Sequence, residues 1–567
     1  MTVYNNNPTH PIATMSTAEL KALLPQHGPF PLVSKLDDMG RGVPPLELTP
    51  PDSPTSKDEA ENHGIQSILE VMLEYADRVS GMMQKSDAQE EGSHGELLRA
   101  LIDYVDQTVL ASRNIHTVVA SFSIPDSQKS ALLYSYYEAL HAAQVSPGQQ
   151  RTGLFGSTYS DTKGIPTTIY TVFGGQGLRS NPIQELSHLF QTYPSLSRDL
   201  IQDSTSLMVH LSTTDASAEQ LLPQGLDILS WLQDPTHVPA LAYLGSAPVS
   251  VPLIGLVQLA HYQVTCKTLG LTPGQFRSRI SGTTGHSQGI ITAAATSVAD
   301  DWPSWRKATR AAMATLFWIG IRTQQVWNAQ HHDKSISEAM IQDSADHDER
   351  APSPMLSVRG LTREHLQTCI DATGRYLKDG GRCLAISMVN GPRNFVVSGP
   401  ARYLYGLNLQ IRKRKQIVIQ DSLVKADIVR SSFLDVSVPF HTGWLKEAIL
   451  MIQHDIKHLQ LQPNATMLPI FSAEDGQDLG RQCDNLLPKL VELVVCRGLD
   501  WGKATALVYP EPTLDTQTRS QKVLDFGPGG IHGINSLSPA IDGVHTILVG
   551  ILSGKGAAVG YKGELYG

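Results

Sequence analysis

Residues 281–290 read SGTTGHSQGI, and their centre is Gly285-His286-Ser287-Gln288-Gly289. A serine carried on a sharp strand-to-helix turn needs small residues two positions to either side, because the tight backbone leaves no room for side chains there. The same five letters also suit a surface Gly-Ser loop, so the rest of the chain has to decide. Downstream, QGIITAAATSVA (288–299) is apolar and rich in small residues, as expected of a buried helix packed close to a sheet. Upstream, TTIYTVFGGQG (167–177) reads as a buried strand running into a glycine turn.

A serine hydroxyl is a weak nucleophile until a base takes its proton. The best-placed base in the sequence is His441 in SVPFHTGWL (437–445). Val438 and Phe440 suggest a strand end there, and Pro439 and Gly443 a turn that aims the imidazole. A histidine after an apolar run is also a common structural residue. His286 adjoins the serine with its side chain directed away from the nucleophile's face, which gives it a packing or pocket role. Acyl chemistry further requires donors for a developing oxyanion. The backbone N–H of Gln288 is one candidate. The glycine turn FGGQG offers the second, with Gln176 beside Gly175, since glycine lets a backbone approach a ligand closely. The same turn also reads as an ordinary βα connection or a phosphate cradle, but it lacks the Lys-Ser/Thr of a P-loop.

Bulk properties exclude several classes. The chain has 567 residues, which implies two to four domains. Hydrophobic residues make up 41% and charged residues 17%, as in a folded globular protein. A net charge of −9 and a pI near 6.1 argue against nucleic-acid binding. Five cysteines without a Cys-x-x-Cys pair fit a reducing, cytoplasmic compartment, and no metal-ligand spacing links them to the histidines. The N-terminus has no secretory signal pattern. The most apolar long stretch, VPLIGLVQLAHYQV (251–264), reads as too short and too polar to cross a membrane.

Along the chain, residues 1–165 form a mostly helical region with a Pro-, Ser- and acid-rich flexible stretch near 44–64. Ile65, Ile68, Leu69, Met72 and Leu73 share one helical face, as do Leu97, Leu98, Leu101, Ile102 and Val105. Residues 166–353 and 417–567 form an α/β core. Between them, 354–416 changes rhythm to strand, helix, strand, strand, helix, which suggests a small ferredoxin-like subdomain. Its first helix has Thr362 as N-cap and Glu364 in the first turn. Its two middle strands join at an Asn-Gly-Pro turn. The run Arg412-Lys413-Arg414-Lys415 suits either docking of an acidic carrier protein or a solvated helix end.

VFGGQG, GHSQG and SVPFH occur in that order, together with SMVNGPRNFVVSGP and LDFGPGG. With VPLIGLVQLAHY, PSPMLS and LYGLNLQIRKRK they resemble the acyltransferase domain of fungal-type fatty acid synthase beta subunits. The starter-unit transacylases of polyketide synthases and malonyl-CoA:acyl-carrier-protein transacylases are more distant relatives. The resemblance runs from about residue 167 to the C-terminus and more weakly through the helical region before it. It implies an α/β-hydrolase-like acyltransferase core carrying a ferredoxin-like subdomain.

The resemblance further implies that Ser287 becomes acylated and His441 is the base. It sets Gln176 beside the oxyanion hole, gives the Gln288 N–H as its donor, and puts Asn390 in a loop near the pocket. The family works as a Ser-His dyad with a backbone carbonyl orienting the histidine, so Asp525 in LDFGPGG is structural. Malonyl-specific relatives carry an arginine clamp for the substrate carboxylate. Gly320 falls at that position in LFWIGIRTQQ, with Arg322 two residues later. A glycine there removes the clamp and leaves room, favouring an uncharged acyl group, acetyl or a short to medium chain. No bound cofactor is implied; acyl-CoA and the phosphopantetheine of an acyl carrier protein, or of a partner synthase, enter as substrates. A synthase beta subunit would continue into an enoyl reductase domain, so an excised domain and a stand-alone enzyme both remain open. A thioester hydrolase shares the same acyl-enzyme and is the alternative; a non-catalytic docking subunit is a second.

Overall fold

The computed structural model describes residues 13–15, 46–48, 57–83, 88–111, 113–148, 153–156, 167–176, 181–330, 336–377, 383–421, 429–481, 483–509, 520–537, 544–549, 560–561 and 565–566. Two short strands, β1 (Ala13–Met15) and β2 (Leu46–Leu48), pair antiparallel ahead of a helical region. That region comprises Lys57–Met83, Ala88–Tyr104, Ile115–Ala120 and Asp126–Ala142. Residues 57–64 of the stretch read as flexible are therefore helical; 44–45 and 49–56 lie outside the described residues. Leu69, Met72, Leu73, Leu97, Leu98, Leu101, Ile102 and Val105 are all buried, as their helical spacing requires. The side chain of Ile68 lies outside the described residues. Tyr566, near the other end of the chain, stacks on His116 with ring centres 4.1 Å apart and shares a 2.6 Å hydrogen bond with Thr268.

The main sheet contains β3 (Thr167–Phe173), β4 (Gly282–Gly285), β9 (Ile470–Phe471), β11 (Ser520–Asp525), β12 (Val544–Leu548) and β13 (Gly560–Tyr561) in the order β13-β12-β11-β3-β4-β9, parallel throughout. A parallel sheet is covered on both faces, so its strands carry little polarity; β4 is buried at every position. Open parallel sheets present binding crevices at the carboxyl ends of their strands. Here the neighbouring strands β11, β3 and β4 end in the turns that begin at Phe526, Gly174 and His286.

The helix Ala247–Thr268 packs against the long helix Trp302–Ala329 in this layer. The whole helix, longer than the stretch 251–264, is long and apolar enough to cross a membrane by length and composition. Every residue in it except Lys267 is buried inside the protein, Gln258, His261 and Gln263 included.

The second sheet is formed by β5 (Met355–Arg359), β6 (Ala385–Gly391), β7 (Asn394–Ser398), β8 (Arg430–Phe433) and β10 (Leu499–Asp500), in the order β10-β6-β7-β5-β8. With helices Arg363–Tyr376 and Ala401–Asp421, strands β5 to β8 give the βαββαβ order of a ferredoxin-like unit. Its fourth strand lies beyond residue 416, and β10 adds a parallel edge strand from farther on. The unit has its own apolar core, including Leu356, Val358, Leu366, Phe395, Leu404 and Phe433. Thr362 caps the first helix by accepting from the His365 N–H. The turn between β6 and β7 is Pro392-Arg393, with Asn390 and Gly391 still in the strand.

Two local expectations are corrected. The basic run is not a helix end, because the helix continues to Asp421; Arg412 is tied to Asp343 and Glu349, and so is withdrawn from docking. Val438 and Phe440 are buried, but they lie in an irregular segment after β8 rather than in a strand.

Candidate active site

β4 ends at Gly285 and the helix Gly289–Val298 begins four residues later, so the chain reverses within His286, Ser287 and Gln288. Ser287 takes φ +54°, in the left-handed region that side-chain-bearing residues rarely occupy. A Cβ on Gly285 would lie 2.1 Å from the backbone carbon of Gly289 and the nitrogen of Ile290. A Cβ on Gly289 would lie 2.5 Å from the carbonyl oxygens of Phe173 and Gly174. Both glycines are therefore demanded by the turn, and the surface-loop reading of the motif falls.

Ser287 Oγ lies 2.8 Å from His441 Nε2, across 154 residues of sequence. His441 Nδ1 donates to the carbonyl oxygen of Arg497 at 2.8 Å. That bond fixes the tautomer, leaving the Nε2 lone pair on the serine hydroxyl. His441 itself takes φ +61°, and its N–H donates to Val495 O at 3.0 Å. Burial pushes its pKa down to about 4, with the neighbouring His286 adding to the fall and the Arg497 carbonyl opposing it. The imidazole is thus held neutral, the form a general base needs.

The glycine turn after β3 faces the same serine. A Cβ on Gly175 would lie 2.8 Å from His286 O and 3.0 Å from Ser287 Cβ, so only a glycine lets this backbone come so close. Gln176 Nε2 donates to Ser250 Oγ, which fixes the glutamine to the start of the buried helix. Gln288 Nε2 donates to Val251 O at 2.8 Å, anchoring the residue after Ser287 to that same helix. Gln258 Nε2 donates to Gly174 O at 2.8 Å and Gly527 O at 2.9 Å, and Gly174 N–H donates to Gly527 O at 2.9 Å.

His286 is buried, and its Nε2 lies 2.9 Å from Asn390 Oδ1 on β6. The amide oxygen accepts, so Nε2 carries the proton. Burial pushes the His286 pKa down to about 4, opposed by that hydrogen bond. Its ring meets Trp501 edge-on at 5.3 Å. His286 thus joins the elbow, the turn from β4 that carries Ser287, to the ferredoxin-like sheet through Asn390.

Residues 171–423, a span that includes Ser287 and ends before His441, match the family model described as starter unit:ACP transacylase in aflatoxin biosynthesis. The fatty acid synthase beta subunit TOXC of Cochliobolus carbonum is 38% identical over 481 residues, 83% of this chain and 22% of its own length. The fatty acid synthase subunit beta of Schizosaccharomyces pombe is 35% identical over 493 residues, 86% of this chain and 22% of its own. This chain is kin to the fungal fatty acid synthase beta subunits. It spans about a fifth of the length of these curated relatives. Among solved structures, the malonyl CoA-acyl carrier protein transacylase of Coxiella burnetii aligns with 71% of this chain and 99% of its own, at 14% identity and a TM-score of 0.45.

Three further positions of this chain bear on the sequence expectations. Gly320 leaves no room: a Cβ there would lie 2.5 Å from Ala247 O and 3.0 Å from Pro248 Cα. The glycine lets two helices touch, and the expected vacancy is filled by backbone. Arg322 is buried and fully engaged. Its Nε and Nη2 donate to Asp455, Nη1 and Nη2 to Asp215, and its guanidinium lies 4.6 Å from the Trp318 ring centre. Asp525 Oδ1 accepts from Gly527 N–H at 2.8 Å, while His441 Nδ1 is taken by Arg497. Asp525 is buried, which raises its pKa to about 7. Sequence reasoning missed Arg497, because a backbone carbonyl has no side-chain signature. It also missed Ser250 and Gln258; the signal available for Gln258 was an amide in the middle of a largely apolar helix.

Proposed function

We propose that this chain is a serine acyltransferase. It takes an uncharged acyl group from acyl-CoA and passes it to the phosphopantetheine thiol of an acyl carrier protein. The observation that carries the reading is the 2.8 Å contact of Ser287 Oγ with His441 Nε2 on a turn built for a nucleophile.

In the first half-reaction Ser287 Oγ attacks the thioester carbonyl carbon while His441 Nε2 takes its proton. Negative charge gathers on the carbonyl oxygen and meets backbone N–H groups of Gln288 and of the Gly175–Gln176 turn. The tetrahedral intermediate collapses, the C–S bond breaks, and His441 returns the proton to the departing CoA sulfur. In the second half-reaction the carrier thiol gives its proton to His441 and its sulfur attacks the acyl-serine carbon. The C–O bond breaks and Ser287 recovers its proton. Neither half-reaction requires a metal ion or prosthetic group.

An uncharged acyl group suits a chain in which the arginine two residues after the expected clamp position is already paired. Arg322 is committed to Asp215 and Asp455, and Gly320 lies under Ala247. A malonyl carboxylate would find neither group free to bind it. Cys266, Cys369, Cys483 and Cys496 are free thiols, which suits a reducing compartment such as the cytoplasm.

Intact-mass measurement tests the proposal, using acetyl-, hexanoyl- and malonyl-CoA with and without a holo carrier protein. The expected result is an acyl adduct from the first two donors, absent in Ser287→Ala and discharged onto the carrier. Decay to free acid at the same rate without a carrier would make the protein a thioester hydrolase. A malonyl adduct in preference to the others would overturn the donor assignment.

A further inference from the structure

Gln258 is fully buried in the middle of the helix Ala247–Thr268, and its side chain hydrogen-bonds to neither Ser287 nor His441. Every polar atom of its side chain is nevertheless used. One amide N–H reaches Gly174 O at 2.8 Å, the other reaches Gly527 O at 2.9 Å, and Oε1 accepts from Thr292 Oγ1 at 2.8 Å. Two carbonyl acceptors and one hydroxyl donor allow only this orientation of the amide.

The three partners come from three different elements. Gly174 belongs to the turn after β3, which carries Gly175 and Gln176. Gly527 belongs to the turn after β11. Thr292 lies on the helix that follows Ser287. Gly174 is held on both sides of its residue, because its own N–H donates to Gly527 O at 2.9 Å. The Gly174 oxygen also lies where a Cβ on Gly289 would collide with it. The spacing between the glycine turn and the nucleophile's helix is therefore set through Gln258.

We propose that Gln258 is a positioning residue for acyl transfer. It fixes the Gly174–Gln176 turn against Ser287 and Gln288, so that the backbone donors of both are aimed at the same developing oxyanion. This rests on the acyl-serine reading above and deepens it. A donor displaced by a fraction of an ångström still admits substrate but stabilises the transition state less, so the effect falls on the rate and not on binding.

Gln258→Met keeps length and volume and removes both donors. Two donors are compared: acetyl-CoA followed by intact mass, and p-nitrophenyl acetate followed as a p-nitrophenol burst, which needs neither CoA nor carrier recognition. The expected result is an acylation rate constant lowered about ten- to a hundredfold with both donors, with half-saturation changed by less than about twofold. Burst amplitude counts folded sites, so a loss of stability alone would lower the amplitude and leave the rate constant intact. An unchanged rate constant, or a fall confined to amplitude, overturns the inference.

If Gln258→Met does not fold, Thr292 decides. Thr292→Val should slow the burst severalfold and Thr292→Ser should restore it, whereas equal rates in both overturn the inference. A wild-type burst with the ester but no transfer from acetyl-CoA to a carrier would sink the proposed function alone. The role of Gln258 would still be read from the ester.

Discussion

Gly285 and Gly391 each close a strand beside the site, one in each sheet, and they are glycines for different reasons. Gly285 ends β4 of the parallel sheet, where a methyl group would collide at 2.1 Å with the backbone of the next helix. Gly391 ends β6 of the ferredoxin-like sheet, where the nearest atom to such a methyl is Asn394 Cβ at 3.9 Å. The parallel sheet makes the turn that carries Ser287 by crowding backbone against backbone. The antiparallel sheet supplies a wall with its own core and reaches the elbow through Asn390 on His286. Chemistry is thus concentrated where the chain has least freedom to change.

The sharpest way to break this contrast is a pair of alanines. Gly285→Ala should abolish soluble, acylatable protein, as judged by expression and by the burst of acyl-serine formation. Gly391→Ala should leave both intact and change stability by less than about 0.5 kcal/mol in chemical denaturation. Equal damage from both would remove the distinction.

Removing the link between the sheets comes next. Asn390→Ala leaves the His286 Nε2–H buried without its acceptor, at a cost of about 1–3 kcal/mol, with a slower acylation measured in the same experiment.

The third test is acidity. His441 is held neutral down to about pH 4, so the acid limb of the acylation rate should fall near pH 4 and not near 6.5. A single-turnover pH profile reads this directly.

The smallest effect belongs to Asp525, whose carboxyl is raised by burial from 3.8 to about 7. The folded state binds its proton more tightly than the unfolded state, so this group costs stability as pH rises from about 4 to about 7. Asp525→Asn should melt progressively higher than wild type across that window and show no advantage below it.

The parts of the site legible in the sequence are those where one residue type has few alternative uses. The Gly-x-Ser-x-Gly spacing encodes a steric demand, and both glycines meet it. The strand-helix-strand-strand-helix rhythm of 354–416 exposed the ferredoxin-like unit, though its edges come from β8 and β10, too far along the chain for local periodicity to reach. Gly320 misled because an absent side chain has two meanings, vacancy and close approach. Only the backbone of Ala247, distant in sequence, decides between them. Gln258 read as polarity inside an apolar run, since what satisfies it comes from three separate elements.

The support of the His441 ring has a consequence for how this protein tolerates change. His441 leans on the carbonyl oxygen of Arg497, while the Arg497 side chain is about half exposed and only loosely paired with Glu474 and Glu492 at 3.6–3.7 Å. Every residue has that carbonyl. A saturation scan would therefore score position 497 as permissive, and drift among lineages would leave no imprint there. An atom on which the imidazole depends would go unnoticed by any method that reads importance from side-chain identity.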